Sequence, residues 1–181
     1  MLRNLRSAYL DDVRRVHADV DLITDKRPDN FLHIGFIKSL FPGAKIVHTI
    51  RDPIDNILSI YFLYFDVGVS YGFDLGDIAH WYGQYLKLMR YWKQVYPDDI
   101  YDLDYDEVVR HPRSTIENLL GFCGLDWEEA CLSADPIRGP VRTASVWQVR
   151  QALHSRSSGR WRNYERYVSR VKALLETEID G

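Results

Sequence analysis

Ile46-Val47-His48-Thr49-Ile50-Arg51-Asp52-Pro53, with Ser59 eight residues beyond the arginine, sets the architecture of this chain. A β-branched apolar run ends on an arginine, a turn follows, and a helix opens. Asp52 is suited to cap that helix, Pro53 to its first position, and Asp55 to the positive end of its dipole. The result is a strand–turn–helix unit with a cation at the carboxyl end of the strand, where open α/β sheets place their ligands. Ser59 lies about two turns into the helix, so its hydroxyl can converge with the Arg51 guanidinium on one anion. A bidentate guanidinium plus a hydroxyl is a good phosphate receptor. The spacing alone leaves a plainer reading open, in which Arg51 pairs with Asp52 or Asp55 at the surface and Ser59 is an ordinary helix residue.

Working outward, strands alternate with helices. Leu5, Leu10, Val13 and Val16 or Val20 recur near one face and predict a helix over roughly 4–20. Leu22-Ile23-Thr24 reads as a short buried strand, followed by the turn Asp25-Lys26-Arg27-Pro28. A helix over 30–40 is ended by Phe41-Pro42-Gly43, and the central strand covers 45–50. The next helix runs over about 53–65 and leads into a loop, 66–76, rich in Gly, Tyr and Ser. A long helix over 77–96 is stopped by Pro97, and a strand over 100–103 is completed by Asp104 and Tyr105. A helix over 114–123 ends at Gly124, a C-cap. Residues 133–144 are irregular, and a final helix covers about 160–178. The alternation predicts one α/β domain over residues 1–181, with a parallel sheet of three or four strands flanked by helices.

Composition narrows the function classes. Hydrophobic content of 46% and charged content of 27% over 181 residues are those of an ordinary soluble globular protein with a real core. A formal charge of −3, with no run of five or six like charges, argues against a nucleic-acid partner. No apolar stretch approaches the ~20 residues that span a bilayer, and Met1-Leu2-Arg3-Asn4-Leu5-Arg6 lacks the apolar core of a signal peptide. A cytoplasmic protein without membrane contact is expected. Cys123 and Cys131 have no CxxC spacing and no histidine arranged with them, so they read as reduced thiols and no metal is expected. A nucleotide kinase of the P-loop type is disfavoured, because GxxxxGK[ST] is absent.

Several segments, taken together and in order, carry a resemblance. They are Thr24-Asp25-Lys26-Arg27-Pro28-Asp29-Asn30-Phe31, Leu40-Phe41-Pro42-Gly43-Ala44-Lys45, and Arg51-Asp52-Pro53 through Ser59. Further on come Leu103-Asp104-Tyr105-Asp106-Glu107-Val108-Val109, Phe122-Cys123-Gly124-Leu125, Val141-Arg142-Thr143-Ala144-Ser145-Val146-Trp147-Gln148-Val149-Arg150 and Gly159-Arg160-Trp161-Arg162. They resemble the sulfotransferases that use 3′-phosphoadenosine 5′-phosphosulfate (PAPS), in particular the bacterial branch often fused to tetratricopeptide repeats and related to tyrosylprotein sulfotransferases. The Arg51–Ser59 motif matches the family's 3′-phosphate-binding motif. The resemblance implies a P-loop-NTPase-like sulfotransferase fold and transfer of a sulfuryl group from PAPS to an acceptor hydroxyl or amine. The acceptor class is not legible: the family's acceptors include peptides, sugars and small molecules.

The resemblance also implies roles. Tyr105 falls where the family places a tyrosine near the adenine, although here the following acids stand exchanged as Asp106-Glu107. A tyrosine capping the core fits the same position. Lys26 aligns with a turn lysine assigned to transition-state stabilisation, and a solvated turn lysine is its plainer reading. Ser145 aligns with a serine that binds the cosubstrate and stabilises the transferred group. It also suits the N-cap of a helix over 146–152, with Gln148 three residues on. Both can hold, since a helix N-terminus is an anion site. Arg160 aligns with a basic residue on the phosphates, and Trp161 is expected to pack under its loop.

The departures bear on activity. Ala152 and His154 stand where relatives carry proline and tyrosine. The family's glycine- and serine-rich 5′-phosphosulfate loop, and the glutamate base of the tyrosylprotein branch, have no counterpart before Lys26; the first glycine is Gly35. The expected domain is therefore the C-terminal portion of a sulfotransferase fold, N-terminally truncated. Its sheet edge would be exposed or covered by the N-terminal helix, and a long exposed edge favours a homo-oligomer. Two functions follow from this: an active PAPS-dependent sulfotransferase, or an inactive remnant that binds 3′-phosphoadenosine phosphates or serves as an interaction module.

Overall fold

The computed structural model describes residues 1–16, 21–63, 69–132 and 158–180. They divide into two compact units, Met1–Ile46 with Leu88–Ile100, and Val47–Lys87 with Tyr101–Gly181. Among the described residues no helix is long and apolar enough to cross a membrane.

In the first unit, helix α1 (Leu2–Val16) has no buried residue. Tyr9 secures it, with its hydroxyl 2.9 Å from Asp25 Oδ2 and its ring edge-on to Phe41. A 3₁₀ turn over Pro28–His33 leads into α2 (Ile34–Leu40). Gly35 is required there by a close approach, since a Cβ would lie 2.7 Å from the Trp92 ring. That indole N–H donates to the Phe31 carbonyl at 2.9 Å. Buried Lys38 donates to the carbonyls of Pro42 and Ala44 and pairs with Asp99 Oδ2 at 2.8 Å. Each of the three ammonium protons thus has an acceptor, the condition under which a buried lysine is tolerated. The same contacts hold the Phe41-Pro42-Gly43 stop in shape. The Lys38 hydrogen bond, opposed by partial burial and reinforced by Lys45, keeps the Asp99 carboxyl below its usual range.

Strand β1 (Ile46–Ile50) and strand β2 (Ile100–Asp104) form a parallel pair. The chain between them runs through α3 (Pro53–Phe62) and α4 (Leu75–Val95), the long crossover that a parallel pair needs. The core of the second unit joins three helices. It contains Ile54, Ile57 and Leu58 of α3, Ile78, Ala79 and Tyr82 of α4, and Val168, Val171 and Leu175 of α7 (Glu165–Asp180). The three- and four-residue spacings mark one face of each helix, and each large apolar side chain buried contributes ~1.5–3 kcal/mol. On β1, His48 Nδ1 lies 2.7 Å from Asp102 Oδ1 of β2, and Nε2 takes the Tyr85 hydroxyl of α4. The carboxylate fixes the tautomer, with the proton on Nδ1.

The sheet has two strands among the described residues, fewer than the three or four expected. Residues 22–24 form no strand, with Leu22 59% and Ile23 40% exposed. A strand needs a neighbour to take its backbone groups, and none of the described residues ladders with them. Tyr105 does not end a strand. Asp104 accepts from the amides of Asp106 and Glu107 and so caps α5 (Tyr105–Arg110), of which Tyr105 is the first residue. Helix α6 (Pro112–Cys123) begins at a proline, two residues before the expected start. It ends as expected at Gly124, left-handed at φ 70°. The expected final helix opens with a 3₁₀ turn, Arg160–Tyr164, before α7.

Candidate functional site

The site is built at the carboxyl end of β1. Asp52 ends the strand–turn segment by accepting from the amides of Ile54 and Asp55 at 2.9 and 3.0 Å, and Pro53 takes the first helical position. The aspartate in turn acts on α4. Burial first, and the negative charge of Asp52 second, push the Tyr82 hydroxyl up to about 12.

Arg51 emerges just before this cap. Its guanidinium lies 5.5 Å from the centre of the Tyr105 ring, with Nη2 3.8 Å from Asp55 Oδ2. The plainer reading of Arg51 therefore has a physical counterpart, but not at the surface, because Asp55 is only 2% exposed. Asp55 Oδ1 accepts from the Trp161 amide at 2.8 Å, and Oδ2 accepts from the Gly159 amide. Ser59 is half-buried one turn beyond Asp55, and a four-residue step keeps it on the same helix face.

Arg160 sits between those two amides, exposed to solvent, with its guanidinium 5.3 Å from the Phe62 ring centre at the end of α3. The turn that presents it is held from two helices: Asp55 of α3 takes Gly159 and Trp161, and Asp106 of α5 takes the Ser158 hydroxyl. Gly159 is left-handed at φ 69°, and a Cβ there would meet Arg162 Nη1 at 1.9 Å. Trp161 packs against the core of this unit beneath the Lys172 ammonium, 3.7 Å from the ring centre. Arg51, Ser59, Tyr105 and Arg160 all belong to the second unit. Lys26 is exposed in the first unit, and Ser145 lies outside the described residues, as do the expected helix over 146–152 and the irregular segment 133–144. Of the 66–76 loop, residues 69–76 are described and include a 3₁₀ turn over Ser70–Phe73.

Asp55 is the residue whose part sequence reasoning understated. It is legible as a dipole complement and as a surface partner of Arg51, and its place four residues after Arg51 and four before Ser59 signals that all three share a face. A concavity of ≈ 260 Å³ is lined by Asp102, Asp104, Glu107, His111, Ser114 and Asn118 among others. Its three carboxylates repel phosphate. No group of three or more His, Cys, Asp or Glu among the described residues is placed to hold a metal ion.

Comparisons with known proteins identify the family and the fold. Residues 1–129 match the model of the Sulfotransferase family. A protein of Aquifex aeolicus (strain VF5), described as uncharacterized, is 35% identical over 179 residues, which are 97% of this chain and 24% of that protein. The fold is similar to that of a sulfotransferase domain from the curacin biosynthetic pathway, with a TM-score of 0.73 and 15% identity over 95% of this chain and 66% of that one. The chain thus spans about a quarter of the length of the relative in sequence and 66% of the relative in structure. On the strength of the family match and of a parallel α/β crossover with an arginine at the strand end, the chain belongs to the sulfotransferase family.

Proposed function

We propose that this chain carries the 3′-phosphate side of a PAPS site in a sulfotransferase that moves a sulfuryl group to an acceptor hydroxyl or amine. The observation that carries this reading is the joining of Arg51, Tyr105 and the Arg160 turn around α3. The donor set suits a phosphorylated nucleoside. Two guanidiniums and the Ser59 hydroxyl supply charge and hydrogen bonds to phosphate, and Tyr105 supplies a flat ring for a base. Arg51 and Ser59 take the 3′-phosphate, Tyr105 packs near the adenine, and Arg160 contacts the phosphates. Lys26 and Ser145 are assigned to the sulfuryl end, where a cation and a hydroxyl stabilise charge that develops in transfer. The reaction is an in-line displacement in which these side chains position and neutralise, and no metal ligand set is called for. The acceptor is a peptide, a sugar or a small molecule.

Calorimetry with adenosine 3′,5′-bisphosphate tests the reading. Arg51→Ala should weaken binding by ~1.5–3 kcal/mol, the range for hydrogen bonds to charged groups. A variant that binds as the parent does would remove the central assignment. A binding-only function is the second reading. Bisphosphate binding without sulfuryl transfer would select it.

A further inference from the structure

We infer that Asp55 is the positioning residue of this site: by holding the amides on both sides of Arg160 it aims that guanidinium at the anion bound by Arg51 and Ser59. The inference rests on the bisphosphate reading above and adds a residue that touches no ligand. A carboxylate beside an arginine is at first sight misplaced in an anion site, because it cancels part of the attraction. Its other contacts resolve this. Both carboxylate oxygens are used, one on Gly159 N–H and one on Trp161 N–H at 2.8 Å, and the side chain is 1% exposed. A hydrogen bond to an ionised acceptor is about twice as strong as a neutral one, so two of them fix the backbone on either side of residue 160. Left-handed Gly159 permits the reversal that brings both amides inward while Arg160 stays outward, against Phe62. Ser158, held by Asp106 of α5, closes the other side of the turn. The anion site is thus assembled from distant parts of the chain through one buried carboxylate.

Asp55→Asn separates this from a purely electrostatic account. It removes the charge opposing the anion, so if Asp55 only neutralised Arg51, adenosine 3′,5′-bisphosphate would bind more tightly. Positioning predicts the reverse. The amide offers one acceptor oxygen and presents N–H donors to the second backbone N–H, so the turn should loosen and binding should weaken several-fold, by no more than removing Arg160 itself does. The decisive measurement is a double-mutant cycle with Arg160→Ala. That change should weaken binding several-fold in the parent and less than ~2-fold in the Asp55→Asn background. Equal effects in both backgrounds, or tighter binding by Asp55→Asn, would overturn the inference.

Amide NMR supplies the readout without ligand. The Gly159 and Trp161 protons should lie downfield in the parent and move upfield in Asp55→Asn, and unmoved resonances would also overturn it. Ser158→Ala leaves the α3 packing untouched and should partly uncouple Arg160 if Asp55→Asn does not fold; full coupling in that variant counts against the inference. A parent that binds no bisphosphate, with the amide shifts as expected, refutes the anion site and leaves only the docking of the turn.

Discussion

Replacing Lys38 with methionine tests the energetic argument for the first unit. The side chain is 4% exposed, and its ammonium serves the Pro42 and Ala44 carbonyls and Asp99 Oδ2. Methionine fills similar volume, so little is lost in packing, and the cost falls on the polar groups left behind. Breaking a buried pair by removing one partner costs ~3–5 kcal/mol when the survivor stays buried. Asp99 is 30% exposed and keeps the Lys45 ammonium at 3.3 Å, so it can rehydrate, and the two carbonyls bear most of the loss. The expectation is ~2–3 kcal/mol, about 1 for each carbonyl and less for the carboxylate. Urea unfolding followed by circular dichroism and tryptophan fluorescence gives the number. The sign with pH is also set. Asp99 is lowered in the folded protein, so its contribution is present above the ordinary carboxylate range and lost as pH falls through the folded value. Lys38→Met should flatten that acid-side loss, since Lys38 is the largest cause of the lowering. A variant within ~0.5 kcal/mol of the parent at neutral pH, the scatter of ordinary surface substitutions, would refute the reasoning.

Asp52→Ala removes the cap of α3 and should cost ~1 kcal/mol, read as a lower urea midpoint with unchanged slope; an unchanged midpoint would show the first turn to be held by other groups. Incubated alone with PAPS and a panel of acceptors, the 181 residues should show little or no transfer while still binding the bisphosphate. Losing donors around the sulfuryl oxygens costs ~10²–10³ in rate and losing a base a further ~10²–10⁴. Robust turnover that is abolished by Lys26→Ala would show that these residues supply such donors themselves.

What could be read without coordinates was local. Asp52, Pro53 and Gly124 act within four residues of themselves, so cap and stop could be placed from the letters alone, and the alternation of apolar runs gave the crossover. Reading failed where the outcome depends on a distant neighbour. Leu22-Ile23-Thr24 has strand composition, but composition supplies no ladder. Tyr105 follows a strand-like apolar run, yet Asp104 followed by acids in the next turn is a helix start, and the cap decides. Nothing in the flanks of Lys38 announces that residues 42, 44 and 99 close over it.

The sequence by itself determined the strand–turn–helix unit of Arg51, which rests on short-range spacing, and the family, which rests on short motifs in a fixed order. Only the tertiary structure decided that Asp55 is buried and joined to residues 159 and 161. A carboxylate at the start of a helix is stabilised by the dipole whether it faces water or protein. Which of the two it faces depends on amides that come more than a hundred residues later in the chain.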